Sequence, residues 1–148
     1  MRVLDRSLAV AAVLAAALST SPALAAETGS PECSNRTLRG DYAFEIDGNI
    51  LAGPMTGILR GVAMTRFDGE GAFTQVDFAT LNGVPMFADW RTVTGTYEIN
   101  ADCTGRAELV PPTPVPALRL RLVVFDNGRK VTTIVEGNAT GSRGERVR

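Results

Sequence analysis

Apolar residues are distributed along this chain in two regimes. From Leu8 to Leu18 they form one unbroken run behind Arg2 and Arg6, whereas after Asn35 they come in short alternating stretches separated by glycine, proline and Asn or Asp. The first regime ends in Ser21-Pro22-Ala23-Leu24-Ala25, the small-x-small pattern cut by signal peptidase, and predicts a secretory signal cleaved after Ala25. Its apolar run is about half the ~20 residues needed to span a bilayer, and no later segment is longer, so the expected product is exported, secreted or periplasmic, without a membrane span.

The second regime predicts strands. Tyr42, Phe44 and Ile46 alternate with Asp41, Ala43, Glu45 and Asp47, the period of a strand with one dry face. From Ile58 to Phe67 both faces carry apolar residues, with Ile58, Val62 and Met64 on one and Leu59, Ala63 and Phe67 on the other; this predicts a central strand or one lining a cavity. Phe67-Asp68-Gly69-Glu70-Gly71 reads as a turn into Ala72 to Thr80, and Asn82-Gly83 as another. Trp90 to Asn100 is rich in Thr, Val, Tyr and Ile, and Arg106 to Val110 returns after the turn at Asp102 to Gly105. Pro111, Pro112, Pro114 and Pro116 make an extended linker. The clearest hairpin runs from Ala117 to Ile134, with Leu118, Leu120, Leu122 and Val124 on one face and Asn127-Gly128 suited to a type I′ turn. Gly137 to Arg148 is expected to be an edge strand or to fray. Seven or eight strands joined in sequence predict an all-β fold, a single antiparallel barrel of about eight strands in meander order, with a sandwich as the alternative. Residues 1–25 are then a signal peptide, 26–36 a polar leader and 37–148 the barrel domain.

Composition sharpens this. The roughly 120 residues after Ala25 suffice for one domain with a core and not for two. The 15 basic and 16 acidic residues are interspersed, which excludes a nucleic-acid footprint. Cys33 and Cys103 are the 2 cysteines; an even count in an oxidising compartment predicts a disulfide, closing a loop of about 70 residues. With 0 histidines, Ser-His and Cys-His nucleophiles are excluded and the usual zinc co-ligand is missing, so no metal and no cofactor is expected.

Candidate chemistry is confined to polar or aromatic residues inside strands. Glu45, Asp77, Arg119 and Arg121 could point into a barrel and contact an anion or a carbonyl, with Trp90 and Tyr97 as flat walls for an apolar ligand; otherwise they form the wet outer face of the sheet. Asp68-Gly69-Glu70-Gly71 has the residue types of a calcium loop but only two side-chain carboxylates, and reads as a hairpin turn.

Cys33 followed by Leu38-Arg39-Gly40-Asp41-Tyr42-Ala43-Phe44, then Phe67-Asp68-Gly69-Glu70-Gly71-Ala72-Phe73, then Gly95-Thr96-Tyr97-Glu98-Ile99-Asn100 and Asp102-Cys103-Thr104-Gly105, resembles a set of small exported bacterial proteins of unassigned function. The inferred topology resembles the barrel of the allene oxide cyclase and dirigent group. That resemblance implies a barrel that binds apolar molecules, some members steering cyclisation or coupling. Three functions follow as expectations: a non-catalytic barrel binding a small apolar ligand, a cofactor-free cyclase or isomerase, and an envelope component that contacts another protein.

Overall fold

The computed structural model describes residues 32–53, 55–112 and 116–147. The expected signal peptide and the first part of the leader lie outside the described residues. A short 3-10 helix, Asn35–Thr37, is followed by β1 (Arg39–Ile50), β2 (Gly57–Asp68), β3 (Ala72–Leu81), the two-residue β4 (Val84–Pro85), β5 (Arg91–Ile99), β6 (Thr104–Val110), β7 (Leu118–Phe125), β8 (Lys130–Val135) and β9 (Ala139–Arg146). Each long strand pairs antiparallel with its neighbour in sequence, and β9 pairs with both β8 and β1. The result is a closed eight-stranded up-and-down barrel, with β4 as an extra strand against the end of β3.

The stretch expected to be an edge strand or to fray holds β9, which closes the barrel from Tyr42↔Arg146 to Asn49↔Ala139. Closure pairs the backbone groups that two free edges would otherwise leave open. The strand gave no apolar signal because its inward positions are Thr140, Ser142 and Gly144, and the Phe44 ring fills the space beside Gly144. Following the register from Arg39 through each strand in turn returns to β1 at Asn49, ten residues further along. Eight strands with such a stagger enclose an interior just wide enough for side chains or one small ligand.

Inward residues alternate with exposed ones on every strand, as the period-two pattern requires. Leu122 and Val124 are buried as expected, with Leu118 and Leu120 packed against the same core. The β7–β8 turn is type I′ at its centre: Asn127 and Gly128 both have positive φ, and the Arg129 N–H closes it on the Asp126 carbonyl. β2 lines the interior through Ala63, Thr65 and Phe67, as expected of a cavity-lining strand, but its second apolar face, Ile58, Val62 and Met64, is exposed on the outer wall. A closed single-layer barrel has nothing outside it to cover a second apolar face.

The two ends of the barrel differ. At one, the chain before β1 forms a cap. Cys33 and Cys103 are disulfide-bonded, with Cα atoms 5.0 Å apart, and the Cys33 N–H donates to the Ala101 carbonyl. Asn35 accepts the Ile99 N–H and donates to the Glu70 carbonyl, and Leu38 is fully buried. The aromatic core lies beneath. Phe67 contacts Tyr42 and Tyr97 edge-on at 5.3 and 5.1 Å, and Phe73 at 5.5 Å. The Tyr97 hydroxyl accepts the Gly69 N–H and donates to the Leu38 carbonyl, while Tyr42 donates to the Gly128 carbonyl and accepts from Arg146.

Burial disfavours both phenolates, raising the Tyr42 pKa and pushing that of Tyr97 up to about 12. A raised folded-state pKa contributes stability that is whole below the ordinary value of 10.0 and is lost as pH climbs from there toward 12. Alkaline titration should therefore show tyrosinate absorbance rising together with loss of the β-type circular dichroism. Tyrosinate forming near pH 10 in a still-folded barrel would contradict this account of the cap.

Candidate functional site

The interior is apolar at the capped end and partly polar in the middle. A hydrogen-bonded row crosses β2, β3 and β5: Thr65 donates to Gln75, the Gln75 amide donates to Asp77, and Arg91 donates to both carboxylate oxygens of Asp77 from Nε (3.0 Å) and Nη2 (2.9 Å). The Phe87 ring lies 4.2 Å from the Arg91 guanidinium, a cation–π contact from the β4–β5 connection. Across the barrel, the Thr133 and Ser142 hydroxyls are hydrogen-bonded at 2.8 Å.

These groups are together because of side-chain parity. Gln75 and Asp77 follow Phe73 at two-residue steps, and Arg91 precedes Val93 and Tyr97 on the same face of β5. The pair meets because Asp77↔Arg91 is itself a register position. Their side chains are 4% and 19% exposed, so the ion pair is held largely out of water. Both carboxylate oxygens of Asp77 are engaged, Oδ1 by Arg91 and Oδ2 by Arg91 and Gln75, so its charge is already countered within the protein.

Between the two polar walls lies a cavity of about 50 Å³, lined by Thr65, Gln75, Thr133 and Ser142 and by the apolar side chains of Ile46, Leu109 and Leu120. That is room for a few waters or a group of a few heavy atoms, against roughly 300–1,000 Å³ for a drug-sized site. Thr133 and Ser142 bond to each other through one hydrogen, so one hydroxyl hydrogen and several lone pairs remain for a guest.

Of the residues singled out from the sequence, Asp77 and Tyr97 face the interior, and Tyr97 belongs to the cap rather than the cavity. Glu45, Arg119 and Arg121 point outward, corrected by the inward placement of their neighbours Phe44 and Ile46, Leu118, Leu120 and Leu122. Arg121 is ion-paired with Glu136 on the outer wall. Trp90 is 56% exposed and rests against Phe78 outside the barrel. Thr65, Gln75, Arg91, Thr133 and Ser142 were missed. For Thr65, Gln75 and Arg91 the available signal was parity with Phe67, Phe73 and Tyr97, whereas no aromatic residue marks the inward face of β8 or β9.

In the β2–β3 turn the Asp68 carboxylate accepts the N–H groups of Glu70, Gly71 and Ala72. Those bonds hold its pKa below the ordinary value and put the side chain to work shaping the turn. The disulfide is of the kind kept in oxidising compartments. No helix among the described residues is long and apolar enough to cross a membrane. On the outer wall Glu98, Arg106, Arg121 and Glu136 run along one ladder of ion pairs, beside exposed apolar residues such as Val123 and Ile134.

The class of protein defined by these features is a closed, disulfide-capped eight-stranded antiparallel barrel with a small, partly polar interior cavity. No family model, curated protein or solved structure matches the chain.

Proposed function

We propose that this is an exported, non-catalytic barrel that binds a compact, mainly apolar molecule carrying one or two hydrogen-bonding groups. The observation that carries the reading is the cavity at mid-barrel, where Thr133–Ser142 and Thr65–Gln75 face each other across an otherwise apolar lining. A non-catalytic role fits better than a cyclase or isomerase because the inward carboxylate among the described residues, Asp77, is ion-paired with Arg91 and accepts three hydrogen bonds from Arg91 and Gln75. Export rests on the N-terminal signal pattern together with the disulfide.

The test is native mass spectrometry of protein purified from its own host. Wild type should carry a small non-covalent adduct. Ala107→Leu, which extends a cavity-lining side chain into the void, should lose it while keeping the same circular dichroism. A bare mass for wild type, or an adduct that survives Ala107→Leu, would overturn the reading.

A further inference from the structure

The outer wall of the barrel is not uniform. On β2 and β3 the outward side chains of Val62, Met64, Val76 and Phe78 form one apolar block, because Met64↔Val76 and Val62↔Phe78 are register pairs. Val62 is 48% exposed, and Met64 and Val76 are each 39% exposed. On the opposite wall apolar residues are mixed with charge instead, Phe125 being paired with Lys130 and Ile134 with Arg121. Along the strands the β2–β3 block is bounded by the row of Asp41 and Arg66 on one side and by the row of Asp47 and Arg60 on the other.

Two features flank this block. On the β5 side stands the exposed Trp90, its ring 6.0 Å from that of Phe78. On the β1 side lies a shallow trough of about 560 Å³, lined by Val62 and Phe78 together with Glu45, Asp47, Arg60 and Arg143. Arg60 and Asp89, the exposed neighbour of Trp90, make no ion pair among the described residues. A projecting indole, a trough, an unmatched cation and an unmatched anion thus share one wall with a contiguous apolar patch.

We propose that this wall is the interface of a two-fold dimer with a second copy of the chain, in which each Trp90 enters the partner's trough. A two-fold axis along the strands, between β2 and β3, exchanges those strands, so that Met64 meets the partner's Val76 and Val62 meets the partner's Phe78. The same axis carries β5 onto β1. It sets Trp90 over the partner's Glu45, whose carboxylate can accept the indole N–H, and brings Asp89 to the row of the partner's Arg60. Charge selects this axis over the perpendicular one, which would lay each Arg66 on the partner's Arg60 and each Asp41 on the partner's Asp47. A tryptophan seated beside an apolar centre is also the residue type that carries most of the energy of protein interfaces. The interface is on the outer wall and holds whatever the interior cavity binds.

Sedimentation velocity of protein purified from its own host should show monomer and dimer exchanging with concentration. Trp90 is the 1 tryptophan of the chain, and its emission should move to longer wavelength as dilution returns it to water. Trp90→Ala and Val62→Glu, both at exposed positions, should each weaken the dimer about tenfold or more with unchanged circular dichroism. Arg60→Glu and Asp89→Arg should each weaken it as well, and the two combined in one chain should restore it, because the exchanged charges meet again across the interface. The proposal is overturned by a monomer at every concentration, by a dimer indifferent to Trp90→Ala and Val62→Glu or broken instead by Ile134→Glu on the opposite wall, by species that grow beyond the dimer, or by a charge-exchanged chain that fails to recover association.

Discussion

Arg91→Ala is expected to lower the stability of the barrel by about 3–5 kcal/mol. The loss of attraction between two charges is the smaller part of that cost. Asp77 is 3% exposed and stays behind with two of its three hydrogen bonds gone, and a buried carboxylate with no counter-charge is among the most unfavourable groups a core can hold. Phe87 also loses the guanidinium beneath its ring. Asp77→Asn combined with Arg91→Met should recover most of the loss, because the asparagine carbonyl still accepts from Gln75 and no charge remains. Denaturant melts of the three proteins decide it. A cost below about 1 kcal/mol for Arg91→Ala would mean that Asp77 is solvated through the adjoining cavity.

Removing the disulfide is expected to cost a similar amount by a different route. Cys33 and Cys103 are separated by 70 positions, and opening a loop of that length restores chain entropy to the unfolded state worth about 4 kcal/mol. In the folded state the loss is local. The cap is held by Cys33, Asn35 and Leu38, so a Cys33→Ser, Cys103→Ser protein should lose hydrogen-exchange protection first at Ile99 and Gly69, whose N–H groups donate to Asn35 and Tyr97. Uniform protection with an unchanged denaturation midpoint would show that the cap stands without the bond.

These two features were unequally visible before the fold. The cysteine pair was legible because count and compartment leave few alternatives. The ion pair was half legible: parity placed Asp77 with Phe73 and Gln75, but its partner sits across a strand pair whose register no single stretch of sequence specifies. Glu45, Arg119 and Arg121 show the converse, since alternation separates two faces without saying which one is inside.

Local pattern alone settled most of the strands and turns, though not β4 or β9, and that Leu118, Leu120, Leu122 and Val124 share a face, because a period of two and the φ preferences of Asn-Gly are properties of a few consecutive residues. Closure was decided by tertiary structure. Whether β9 meets β1 depends on the accumulated stagger of every register around the barrel, and its small inward residues, Thr140, Ser142 and Gly144, have meaning only against Phe44 and Thr133 on the neighbouring strands. The same holds for β2, whose second apolar face looked buried in sequence and is exposed because a single closed sheet has only one interior.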